Sequence, residues 1–213
     1  FKDTIRQTTL QVNQGISLKF TNGAIRRGTG LTKGAPMIRI YNGTIVEFDE
    51  TVTISGENLP TNGKAVELWH ASLKTAAWIG NTYSRTESGY HSCIDACSPS
   101  SKLEVLGGTT DHGPIWYFGT EPLVISGGKH YWIEPYYSDA VISGKNTEIG
   151  SFTFHFNPSK LYLKSSVKYI GFYDYYNVIS DGYAVATGYD GYQLTEDDLQ
   201  MIKVTNYDNS VND

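Results

Sequence analysis

Charge is scarce in this chain, and the scarcity excludes several classes of function. Only 18% of the 213 residues are Asp, Glu, Lys or Arg, and the formal net charge is −5. The longest basic run is the pair Arg26-Arg27. Phosphate neutralisation needs clustered Lys and Arg, so no nucleic-acid partner is expected. No apolar run approaches the roughly 20 residues of a membrane-spanning helix, and membrane insertion is not expected either. The chain opens on Phe1 with neither an initiator Met nor a signal-peptide pattern, as a mature product or a segment of something longer would.

Catalytic signatures are equally sparse. There is no G-x-S-x-G to present a nucleophilic serine and no H-E-x-x-H or H-x-H to gather a metal. The five histidines, His70, His91, His112, His130 and His155, are scattered. Gly28-Thr29-Gly30 does not sit between a strand and a helix, so it offers no phosphate cradle. No cofactor is expected. Paired carboxylates are the remaining route to glycoside chemistry, which needs two of them flanking a sugar. The candidates are Glu134 with Asp139, and Asp174 with Asp181 and Asp190; a surface role for all five is the favoured reading.

Aromatics and glycine are abundant: 16 Tyr, 4 Trp, 8 Phe and 22 Gly. With little charge and few helix formers, this composition indicates an all-β protein. Ile16, Leu18 and Phe20 alternate with Ser17 and Lys19 in the period of a half-buried strand. From 51 to 157 the expected strands are 51–55, 65–70, 76–79, 103–106, 115–118, 123–125, 130–136 and 151–156. Gly107-Gly108, Gly127-Gly128 and Ser143-Gly144 mark turns between them. About eight strands in roughly 105 residues is the spacing of a Greek-key or jelly-roll-like antiparallel β-sandwich. At least two of Trp69, Trp116 and Trp132 are expected in its core.

The string Ile125-x-x-Gly128-x-x-Tyr131 resembles the tyrosine corner of β-sandwiches. That resemblance implies a buried Tyr131 whose hydroxyl bonds to backbone near Gly127 or Gly128. Three segments are expected: a strand-rich N-terminal extension (1–50), the sandwich (51–157), and a small Tyr-rich module (158–213) beginning after Asn157-Pro158. A capping box at Thr195–Asp198 predicts a short helix over 196–202.

Two Asn-Gly pairs invite a different reading of the N-terminal part. Phe20-Thr-Asn-Gly-Ala-Ile25 and Tyr41-Asn-Gly-Thr-Ile45 are similar and lie about 21 residues apart, roughly one coil of a parallel β-helix. Two ordinary hairpins are the favoured alternative. Residues 16–30, with Asn42-Gly43-Thr44-Ile45, do resemble the opening coils of pectate-lyase-like β-helices in phage tail spikes and polysaccharide-degrading proteins. That likeness is confined to positions 16–45. It implies a virion-borne or secreted surface protein.

Cys93 and Cys97, in a Ser-rich loop, are expected to close a small disulfide ring, which suits an oxidising exterior. Two free thiols, or a zinc site made with His91 and His112, are the alternatives. The Tyr-dense C-terminal segment supplies the candidate binding surface: Tyr173, Asp174, Tyr175, Tyr176, Tyr183, Tyr189, Asp190 and Tyr192. Tyr offers a flat apolar face and a polar tip at small entropic cost, which suits a glycan or a partner chain. The expected function is non-catalytic attachment in an oligomeric virion fibre or spike, or in a secreted surface protein. A polysaccharide-degrading domain and a purely structural capsid or fibre subunit are the alternatives.

Overall fold

The computed structural model describes residues 10–13, 15–26, 36–56, 63–80, 92–154, 160–174, 186–188, 193, 195–197 and 202–206. Twenty strands run through them, and every pairing among the described strands is parallel. The chain winds repeatedly around three faces, A, B and C, and each strand pairs with its counterpart one coil later.

The first coil carries β1 (Leu10–Val12) on face A, β2 (Ser17–Phe20) on face B and β3 (Gly23–Arg26) on face C. The second repeats this with β4 (Ile38–Tyr41), β5 (Ile45–Phe48) and β6 (Val52–Ser55). The third has β7 (Lys64–Trp69), β8 (Ser72–Thr75) and β9 (Trp78–Gly80). Then come β10 (Ser92–Ala96), β11 (Lys102–Val105) and β12 (Thr109–Tyr117). From β12 onward one long strand bends from face C into face A, as do β14 (Lys129–Pro135), β16 (Glu148–Phe152) and β18 (Tyr169–Asp174). Face B continues through β13 (Leu123–Ile125), β15 (Ala140–Ile142), β17 (Leu161–Leu163) and β19 (Ala186–Gly188). A helical turn at Glu196 and Asp197 precedes the last strand, β20 (Ile202–Asn206).

This arrangement overturns the antiparallel sandwich. Period-two alternation shows that a strand has one dry face and one wet face, but not which way its neighbour runs. Parallel strands need a long crossover. Here the next two faces of the coil supply it, so each strand keeps an outer face and reads like an antiparallel one. Some strand positions were legible, the expected 65–70 being Lys64–Trp69 and 123–125 being Leu123–Ile125, but β8, β10 and β15 were not expected, and β10 lies where a loop was.

The parallel coil is therefore present, but not in the repeat that suggested it. Phe20 pairs with Phe48 and Tyr41 with Trp69, so the two Asn-Gly fragments turn different corners. In the early coils the ladder advances by an even stride, from Ile38 to Val66 to Ile94. The stride then shortens, and Ile115, Ile133 and Phe152 follow at closer intervals along the chain. The corner from face C to face A accounts for this, being a separate connection in the first three coils and a bend within one strand afterwards.

Apolar ladders fill the interior. Ile38, Val66, Ile94, Ile115, Ile133 and Phe152 stack beneath face A, and Ile25, Ile54, Ile79, Thr110, His130, Ile149 and Ile170 beneath face C. One continuous apolar cluster runs from Met37 to Ile170. Ladders cross positions 50 and 157 without a break, so the three expected segments share one stack.

The tyrosine-corner string marks a real turn but the wrong ring. Tyr131 is 54% exposed, at the bend of β14, where it stacks on His112 at 6.3 Å. The inward residue is its neighbour His130, whose Nε2 donates to the Gly127 carbonyl at 2.8 Å. Among the described residues Tyr117 is the fully buried tyrosine, with its hydroxyl between the carbonyls of Ser101 (3.1 Å) and Glu121 (2.9 Å). The expected tryptophan core also fails: Trp69 is 40% exposed, and Trp116 and Trp132 are half-buried.

The three glycine-marked turns form one column, at the corner from face B to face C. Gly128 sits there at φ +90°, and a Cβ added to it would lie 2.4 Å from the Gly108 carbonyl oxygen. That carbonyl accepts from the Lys129 amide at 3.0 Å. Gly128→Ala is therefore expected to lower the unfolding free energy by about 1–3 kcal/mol in urea titration. Gly23→Ala, with open space around its Cβ, should leave it unchanged.

Tyr117→Phe removes the single O–H that the carbonyls of Ser101 and Glu121 share, and should cost about 1–3 kcal/mol. Tyr131→Phe at its exposed position should stay within about 0.5 kcal/mol, and equal losses in the two variants would contradict this assignment of the buried tyrosine.

Candidate functional site

The outward side of face A is the most chemically diverse surface of the described residues. Alternation puts Ile38, Ile40, Val66, Leu68, Ile94 and Ala96 inside, so Arg39, Glu67 and Asp95 point out. Register continues this outward row through Trp116 to Glu134. Arg39 Nε meets Glu67 Oε2 at 2.8 Å. Lys64 Nζ joins Glu67 Oε1 at 3.0 Å and Asp95 Oδ2 at 2.5 Å.

Burial alone would lower the Lys64 ammonium pKa, but Asp95 and then Glu67 outweigh it and hold it above the ordinary range. The carboxylates lie deeper than the cations: Glu67 and Asp95 side chains are 6% and 5% exposed, against 21% for Arg39 and 25% for Lys64. Each buried carboxylate is thus compensated, as burial of charge requires.

A second outward row lies beside the first, at the strand ends. Tyr41 pairs with Trp69. The Cys97 amide donates to the Leu68 carbonyl, the Phe118 amide to Ala96 and the Tyr136 amide to Tyr117, which extends the row coil by coil. Phe118 and Tyr136 stack with ring centroids 4.0 Å apart, and Tyr137, 54% exposed, lies at 6.3 Å from both. Beyond this row the chain turns the corner to face B through Asn42 (φ 49°) and His70 (φ 52°). The His70 amide is bonded to Ser98 Oγ at 2.7 Å. Asn-Gly here serves a coil corner rather than a hairpin.

The expected disulfide is absent. Cys93 and Cys97 are free, on and just beyond the extended strand β10. Four residues of strand span about 13 Å, well beyond the Cα separation a disulfide tolerates. Cys93 is buried beside the carbonyls of Ile79 and Asp111 (3.3 and 3.4 Å), and burial pushes its thiol up to about 12. Cys97 lies 3.6 Å from Lys64 Nζ, and burial followed by the Asp95 charge raises its thiol too. Among the described residues no three His, Cys, Asp or Glu side chains converge as a metal site. His112 instead pairs with Asp111 at 2.9 Å on an exposed bend, and His91 lies outside the described residues.

The carboxylate candidates separate. Glu134 is on face A, while Asp139 lies before β15, where its Oδ1 accepts from the Lys160 amide at 2.8 Å. Of the C-terminal candidates, Tyr173 and Asp174 lie on β18, paired with Thr205 and Asn206. Tyr175, Tyr176, Asp181, Tyr183, Tyr189, Asp190 and Tyr192 fall outside the described residues, as does His155. The aromatic row on face A was missed because a whole coil of chain separates each member from the next, and no local pattern links them. The chain matches no protein-family model, and no curated protein or solved structure matches it.

His130 is a buried titratable group inside the stack. Its Nε2–H is given to Gly127, which leaves Nδ1 as acceptor for Thr110 Oγ1 at 3.3 Å. Burial lowers its pKa from the ordinary 6.5, and the Gly127 bond opposes this only in part. The unfolded chain therefore takes up the proton first on acidification. His130 is expected to contribute no pH dependence well above 6.5 and to lose stability as pH falls below it towards the folded value. Urea midpoints compared between pH 8 and pH 5 should fall less steeply for His130→Leu than for the parent chain; equal slopes would refute the assignment.

Proposed function

We propose that this chain is a non-catalytic attachment module that binds a glycan through the outward side of face A, at the surface of a virion or as part of a secreted protein. The observation that carries the reading is the row Tyr41, Trp69, Phe118 and Tyr136, outward on successive coils save one and partly open to solvent. Sugar rings present C–H faces that suit flat aromatic surfaces, and their hydroxyls suit polar groups alongside. Rigid aromatics lose little entropy when they are covered. A stack of parallel coils is also the fold implied by the resemblance of residues 16–30 to tail-spike β-helices.

The charge network favours binding over hydrolysis. A glycosidase needs two carboxylates that reach the sugar from either side, with one free to give a proton. Glu67 and Asp95 share Lys64, which stands between them, and Asp139 is engaged by a backbone amide.

Trp69→Ala and Tyr136→Ala should each weaken glycan binding by about 1–3 kcal/mol, the range for truncating a central aromatic contact, with an unchanged thermal midpoint. A glycan array identifies the ligand and titration calorimetry measures the loss. Full affinity in both variants would remove face A from the binding surface. A loss that appears only as dissociation of an oligomer would make the row a subunit interface.

A further inference from the structure

We infer that Lys64 Nζ and Asp95 Cγ join as an amide, with Glu67 carrying the proton, so that face A holds a covalent staple between two successive coils. The parts come from the ladder. Strand β7 brings Lys64 and Glu67, β10 brings Asp95, and parallel register sets Glu67 opposite Asp95. Lys64 Nζ lies 2.5 Å from Asp95 Oδ2 and 3.0 Å from Glu67 Oε1. A nitrogen that close to one carboxyl oxygen is roughly 3–3.5 Å from the carboxyl carbon, the separation of a near-attack pair.

The two carboxylates stand in different positions, which separates this trio from a plain ion pair. Asp95 Oδ1 is buried and, among the described residues, has no hydrogen-bond partner. A buried carboxylate with one bare oxygen is costly. Condensation removes its charge and that of Lys64 together, and leaves a neutral carbonyl in its place. Glu67 is also buried, but Arg39 Nε holds its second oxygen at 2.8 Å and favours its ionised form. Asp95 is therefore the group to be consumed and Glu67 the one to be kept.

The step balances without a co-reactant. One ammonium proton passes from Lys64 to Asp95, which leaves a neutral amine beside a carboxylic acid. The Nζ lone pair forms the bond to Cγ. Glu67 takes a second proton from the nitrogen and returns it to the hydroxyl, which departs as water. The nitrogen ends with one hydrogen, Glu67 ends ionised as it began, and nothing is oxidised or reduced. The first transfer is uphill, because Asp95 and Glu67 hold the proton on Lys64. It slows the reaction without setting its end point. Well-oriented groups within one molecule react with effective molarities of about 10⁵–10⁸ M, which favours the amide over the separate acid and amine.

The test is the intact mass of the purified full chain, denatured only for the measurement, followed by tryptic mapping. The expected mass is that of the sequence less one water. Mapping should give a branched peptide that joins Lys64 to Asp95 and is uncut after Lys64. Lys64→Arg keeps the charge but not the primary amine and should show the full sequence mass. With mass followed over time after cell-free synthesis, Glu67→Gln should form the link about a hundredfold more slowly, the worth of a positioned proton carrier. A folded parent chain that keeps its full mass through prolonged incubation at pH 7 overturns the staple. Loss of water that persists in Lys64→Arg overturns it too, since the dehydration then lies elsewhere. Equal rates in the parent and Glu67→Gln overturn the part given to Glu67. None of these readouts depends on whether face A binds a glycan.

Discussion

Every other property of this molecule depends on the register of its parallel ladders. Most strands in this fold have one apolar face turned inward, and that face must meet the interior at the same height in every coil. A slip of one residue would turn Ile94 outward and bring Asp95 inside. Register is therefore enforced by burial on three faces at once, and the corners have to deliver the chain to each face in phase. Gly108 and Gly128 do this where backbone passes so close to backbone that no side chain fits. Asn42 and His70 do it at the corner from face A to face B with left-handed backbone.

Strands β8, β10 and β15 lack an alternation of large apolar residues and were not legible in the sequence. Many of the other strands were, because they are local: alternating apolar residues between glycine or asparagine turns. Their partners were not, since nothing in Lys64–Trp69 says whether its neighbour runs parallel or antiparallel. Unequal coil lengths hid the repeat further. Had the even stride from Ile38 to Val66 to Ile94 continued, the period would have stood out; instead Ile115 arrives early. The tyrosine-corner string failed by a single residue, because the chain bends at that point and puts His130 inside and Tyr131 outside.

The candidate site was less legible than the fold, for the same reason. A binding row assembled by stacking draws one residue from each coil, and such residues are never neighbours in the chain. Sequence density drew attention to the Tyr-rich C-terminal stretch, where rings are close along the chain. Stacking does the reverse, placing distant residues side by side on one face. The buried ion network shows the same effect: Arg39, Glu67 and Asp95 each come from a different coil and yet form one row.

The corner from face C to face A differs from the other two in how much chain it holds. Residues 27–37 separate β3 from β4, and 81–91 separate β9 from β10, yet β12 and β14 turn the same corner without leaving the strand. Between β1 and β15 the stack therefore accepts very different lengths of chain at this position, while the other two corners hold to between two and five residues. Loop closure grows costly only slowly with length, so such a corner can gain or lose segments without disturbing the ladders on either side. It also borders the start of every face A strand, next to the outward rows. Variation confined to it would reshape the rim of that surface while the floor stayed fixed, which makes this corner the place where the molecule could acquire a new specificity or carry a grafted peptide.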